Sequence, residues 1–102
     1  MIRLNTFERL TLKGWLESQE GTIGFIRQAV PVVEKLELTA EEKKLVGFEQ
    51  RGNRLKWKDE ERTFDLDLEA VELALFKPML DAKWPVNPLY LALLEKVAAA
   101  IG

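Results

Sequence analysis

Apolar residues recur along this chain with a period that changes twice, and those changes divide it into elements. From Asn5 to Gly21 the spacing is helical, with Phe7, Leu10, Leu12, Trp15 and Leu16 spread over most of the wheel. Asn5 is a good N-cap, and Glu8, three residues on, completes a capping box. Arg9, Lys13 and Glu17 fall four apart and read as one solvent-facing stripe. A second helix is predicted from Thr22. Ile23, Phe25, Ile26, Ala29, Val30, Val32, Val33 and Leu36 cover roughly half its wheel. Pro31 falls on the polar side with Arg27, Gln28, Glu34 and Lys35, and its missing N–H predicts a kink or a break. Thr39-Ala40-Glu41-Glu42 is another capping box. It opens a short third helix through about Leu45, ended by Gly47.

Between residues 46 and 67 the period becomes two. Val46 and Phe48, Leu55 and Trp57, and Phe64 and Leu66 alternate with other residues, which predicts half-buried strands. Arg51-Gly52-Asn53 and Asp59-Glu60-Glu61 supply the turns. The expected product is an antiparallel hairpin or a three-strand meander at about 46–67. Helical spacing returns at Leu68. Asp67 reads as the cap of a fourth helix, whose apolar face includes Val71, Leu75, Phe76, Met79 and Leu80 and which Pro78 bends. Asn87-Pro88 then opens a last helix running to about Ala100, with Val86 placed to staple onto Leu91. Beyond Tyr90, Glu95 and Lys96 this helix has little polar surface, so it is either the centre of the core or part of an interface. The prediction is a helix-rich α+β fold of about five helices, one domain over residues 1–102.

Composition narrows the chemistry. Hydrophobic residues at 47% and charged residues at 31% fit a folded globule. Neither cysteine nor histidine is present. That removes disulfides, thiolate nucleophiles, zinc ribbons and the commonest general base. Ser18, the one serine, has no base to activate it. No catalytic residue, metal ligand or cofactor is assigned, and the expectation is a non-enzymatic protein with no evident small-molecule substrate. The net charge of −2 lacks the basic excess of a dedicated nucleic-acid binder. No apolar run reaches the roughly 20 residues of a membrane span, and the first residues lack a signal-peptide core. A soluble, cytoplasmic setting is the expectation.

The order Asn5-Thr6-Phe7-Glu8-Arg9-Leu10-Thr11-Leu12, Glu20-Gly21, Ile26-Arg27, Leu38-Thr39-Ala40-Glu41-Glu42 and Gly47-Phe48 through Trp57 resembles a group of short uncharacterised proteins encoded by tailed bacteriophages and prophages. Those proteins have no assigned function. The resemblance implies a viral or prophage origin and a host-cytoplasm setting, and it carries over no catalytic residue.

Three surfaces are candidates. The first is apolar surface on and near the last helix, Trp84, Tyr90, Leu91, Leu94 and Val97, which would serve a protein partner or a second copy. The second is the basic hairpin, Arg51, Arg54, Lys56 and Lys58, with Trp57 as a stacking face. After three helices it resembles the wing of a winged helix and would touch phosphates. Glu49, Asp59, Glu60 and Glu61 nearly neutralise it, and the third helix opens on Glu41 and Glu42, where base contacts need donors. The third is the acidic set Asp65, Asp67, Glu69 and Glu72, which would hold a divalent cation only if carboxylates converged from separate elements. Cap and first-turn charge explain Asp67 and Glu69 more simply. The leading expectation is a small interaction protein that binds a host or viral protein or itself. The alternative is a small nucleic-acid-binding regulator.

Overall fold

The structure is a computed structural model describing residues 1–102. Strand β1 (Ile2–Asn5) leads directly into α1 (Thr6–Glu17), followed by α2 (Ile23–Leu36) and α3 (Ala40–Val46). A hairpin of β2 (Glu49–Arg51) and β3 (Arg54–Lys56) comes next, then β4 (Thr63–Leu66), α4 (Ala70–Leu73), a 3-10 helix (Ala74–Asp81) and α5 (Pro88–Ile101). This is the helix-rich α+β fold that the periodicity predicts. No helix is long and apolar enough to cross a membrane.

Both predicted capping boxes form. The Asn5 side chain accepts the Glu8 N–H while the Glu8 carboxylate accepts the Asn5 N–H, and Thr39 and Glu42 do the same at α3. Thr22 caps α2 through the Phe25 N–H. Helix α3 runs one residue further than expected and takes Val46 from the strand region into the core. Gly47 then adopts φ +65°, and the N–H groups of Phe48 and Gly47 bond the carbonyls of Lys43 and Lys44. That left-handed ending suits glycine and satisfies two carbonyls left over at the helix end.

The strands pair differently from a three-strand meander. β2 and β3 form an isolated hairpin across Gly52-Asn53, in which Gly52 alone has positive φ. β4 instead pairs with β1, an N-terminal strand the periodicity did not reveal, with Ile2 opposite Leu66 and Leu4 opposite Phe64. The reason is the apolar face on offer. Ile2 and Leu4 alternate with the exposed Arg3, so pairing with β4 buries both in the core. β3 spans three exposed residues and would contribute only Leu55. The chain leaves β3 by bonding the N–H groups of Lys58 and Asp59 to the Val46 carbonyl, and the Asp59 carboxylate then accepts the N–H groups of Glu61 and Arg62. That turn carries residues 63–66 back to β1, where Arg3 and Asp65 face each other across the strands and pair at 2.9 Å. The Arg3 hydrogen bond holds the Asp65 carboxyl below its ordinary range.

The fourth predicted helix is mostly 3-10. Pro78 cannot donate to the carbonyl of Ala74 and its ring crowds that carbonyl in an α-helix. The change from α to 3-10 geometry falls at Ala74. The N-cap is Glu69, not Asp67. Pro31, by contrast, sits exposed inside a continuous α2, so the expected break does not occur. At α5, Asn87 accepts the Leu89 N–H at 2.8 Å, but Val86 is fully exposed and no staple onto Leu91 forms.

The core draws on Leu4, Leu12, Val32, Leu36, Phe76, Met79, Leu93 and Val97, all essentially inaccessible. Two charged residues join it, and one corrects the expected solvent stripe on α1. Arg9 is buried, with its guanidinium donating to the carbonyls of Leu36 and Glu37 and to the Glu42 carboxylate, and lying 5.2 Å from the centre of the Phe64 ring. Glu8 is buried too, and Lys96 from α5 reaches it at 2.6 Å. Lys13 and Glu17 do pair along the outside of α1.

Candidate functional site

The last helix resolves into two faces. Asn87 and Pro88 set its start, and the helical spacing then directs Leu93 and Val97, four apart, into the core. Tyr90 and Leu94, also four apart, are half-buried beside that face, while Leu89 and Leu91 are more than half exposed. Core and surface are therefore different stripes of one helix.

The segment before α5 folds against the Tyr90 stripe. The Trp84 indole N–H donates to the Met79 carbonyl at 2.8 Å, which satisfies one carbonyl at the end of the 3-10 helix and fixes the ring. The Trp84 and Tyr90 ring centres are 5.4 Å apart, and the Tyr90 and Phe7 rings meet edge to face with their centres also 5.4 Å apart. Tyr90 is thus held on two sides by aromatic neighbours. Between Trp84, Pro85, Val86, Pro88, Tyr90, Leu91 and Leu94 lies a groove of about 400 Å³ with Asn87 as its polar lining residue. Four of the five residues expected at a partner surface, Trp84, Tyr90, Leu91 and Leu94, line this groove. Val97 does not, because it is buried one turn further along the inner stripe.

The hairpin assembles part of the basic candidate. The register places Arg51 opposite Arg54 and Glu49 opposite Lys56, and these four side chains line a cleft of about 300 Å³. Arg51, Arg54 and Lys56 form no ion pair within the chain. Like charges directly opposite each other across strands destabilise a hairpin. Lys58 is not in this cleft; its aliphatic stem lies over Gly47. Trp57 alternates with the cations and is half-buried, so it offers them no stacking face. Glu42 of α3 points inward to Arg9 rather than outward.

The acidic set disperses. Asp65 pairs with Arg3, and Glu72 pairs with Lys35 at 2.8 Å while accepting the Glu69 N–H. The Lys35 hydrogen bond, with help from the Glu69 backbone, holds the Glu72 carboxyl below its ordinary range. Lys35 also reaches the Asp67 carbonyl. Asp65 thus serves the β1–β4 pair and Glu72 the joint between α2 and α4, and the set does not gather into a group that could hold a metal ion.

One surface lay outside the sequence expectations. Of the eight apolar residues on α2, only Ala29, Val32 and Leu36 are buried. Ile23, Ile26 and Val30 remain 69%, 49% and 48% exposed. The signal was the width of the apolar face, which exceeds what one core-facing stripe needs. No family model, curated protein or solved structure matches the sequence.

Proposed function

We propose that the chain is a non-enzymatic interaction domain that binds an extended segment of another protein in the groove between Trp84 and Leu91. The single observation that carries this reading is a preformed aromatic groove with an exposed apolar rim: Val86 fully exposed and Leu91 59%. Water-exposed apolar surface has a favourable route to burial only by association. Trp84 and Tyr90 are already fixed by Met79 and Phe7, so binding costs little ordering at the residue types that dominate interfaces. The groove is the size of one or two anchor side chains, and its near absence of charge favours proline or aliphatic anchors. The phage origin implied by the resemblance makes a host or viral protein the partner in this reading. Random peptides displayed on yeast and sorted against the intact chain are expected to enrich such anchors. Leu91→Asp and Val86→Asp, both at exposed positions, should each weaken binding at least about tenfold with the circular dichroism spectrum unchanged. No enriched sequence, or binding indifferent to both substitutions, overturns the proposal.

A second reading has its own observation. Arg51 and Arg54 face each other and neither forms an ion pair within the chain, a cost that a nucleic-acid phosphate would relieve. In this reading the hairpin binds oligonucleotides. Affinity should fall steeply as salt rises, and Arg51→Glu with Arg54→Glu should abolish it. Binding that ignores salt, or that survives both reversals, removes this reading.

A further inference from the structure

We propose that the exposed face of α2 docks a second copy of this chain, antiparallel about a two-fold axis near Val30 and Pro31. Ile23, Ile26, Val30 and Val33 are spaced three, four and three residues apart, the seam of a two-helix interface. The first three are exposed, as given above, and Val33 is half-buried at the edge of the core. The stripe borders a shallow apolar groove of about 470 Å³ against Leu16 and Phe25. The occupant is identified by charge. Arg27 and Glu34 follow the two Ile26 and Val33 seam positions by one residue each, so both lie on the same outer edge of the stripe. Both are exposed and neither joins any of the six ion pairs within the chain. A two-fold axis perpendicular to the helix sets like edges together and reverses the chain direction. Residue 27 then faces residue 34 of the other copy, and the same contact repeats across the axis. The edge is complementary to itself in this orientation, whereas a parallel two-fold would set it against the opposite edge of the stripe, where Arg27 and Glu34 meet no charge of opposite sign. The other edge of the stripe, Ala29 and Leu36, is spent on the chain's own core. Val30 and Val33 sit near the axis, Ile26 covers the aliphatic stems of the flanking charges, and Ile23 closes the ends. The aromatic groove beside α5 takes no part, so this inference stands apart from the proposed function.

Sedimentation equilibrium on the intact chain tests it. The expected result is a species of about twice the 11.7 kDa chain mass, with Val30→Asp leaving a folded monomer. Arg27→Glu and Glu34→Arg should each weaken the dimer roughly tenfold, because the symmetry repeats every altered pair. The two together should restore it, a rescue that general loss of stickiness does not produce. The native chain has no cysteine, so Val30→Cys should give one disulfide-linked dimer under oxidant. Ile23→Cys should give none, because the two copies lie roughly 22 Å apart along the helices there. A chain that stays monomeric at the millimolar concentrations of an NMR sample overturns the proposal. So does a dimer that survives Val30→Asp, or one that the charge reversals leave unchanged.

Discussion

Replacing Arg9 with alanine is expected to cost roughly 3–5 kcal/mol, a large part of the roughly 5–15 kcal/mol that stabilises a typical domain. The guanidinium donates to three acceptors that belong to the α2–α3 junction: the carbonyls of Leu36 and Glu37, at 3.1 and 2.8 Å, and the Glu42 carboxylate at 2.8 Å. Truncation leaves those acceptors beside a cavity and takes the cation from above Phe64. Lysine keeps the charge but cannot bond three acceptors with the geometry of a planar fork, so Arg9→Lys should recover only part of the loss. Urea unfolding midpoints at constant slope measure both variants. The same pair sets a pH dependence. Partial burial pushes the Glu42 carboxyl up, but the Arg9 hydrogen bond, the bonds from Thr39 and the Arg9 charge together hold it below its ordinary value. A carboxyl depressed in the folded state contributes stability that is complete above its unfolded pKa. That contribution is lost as pH falls through the lower folded value. Acid titration of the native chain should show this loss below the ordinary carboxylate range, and in Arg9→Ala it should flatten. An Arg9→Ala chain as stable as the native one, with the same acid profile, would show that the junction is held by packing alone.

Arg9 also shows which information the sequence carries. The capping boxes were legible because donor and acceptor lie three residues apart: Asn5 with Glu8, Thr39 with Glu42. Arg9 was read as part of a solvent stripe because its environment comes from residues 36, 37, 42 and 64, which local spacing cannot bring near. β1 escaped for a related reason. Four residues give two apolar positions, too few for a period, and the partner β4 is sixty residues away. Pro78 marked a disruption correctly, but the form it takes, eight residues of 3-10 helix packed against α5, is not written in local spacing. The aromatic groove was partly legible because Trp84 and Tyr90 flank one helix start. Val97 was misplaced in it because an all-apolar wheel does not say which stripe faces inward. The same ambiguity hid the α2 surface, where Ile26 and Ala29 look alike in sequence and differ completely in exposure.

Leu93→Ala and Leu91→Ala, two residues apart on α5, should separate by several kcal/mol. Leu93 is fully buried among the core residues, so losing its side chain removes transfer energy and leaves a cavity, at a cost of roughly 2–5 kcal/mol. Leu91 lies on the rim of the groove, 59% exposed, and its loss should change stability by no more than about 0.5 kcal/mol. Peptide binding should reverse the order. Leu91→Ala removes a contact that forms only in the complex, whereas Leu93→Ala leaves the rim intact in every molecule that remains folded. Thermal or urea melts give the first comparison and titration of an enriched peptide at low temperature gives the second. Equal stability costs at the two positions would mean that the Leu91 side chain is already covered in the free chain, either by the rest of the domain or by another copy. Sedimentation of Leu91→Ala then decides between those, since only cover by another copy makes the mass fall. A helix that gives one face to the core and keeps the next free would let the domain bind, in the function proposed above, without unfolding. The difference between these two leucines measures how completely α5 achieves that division.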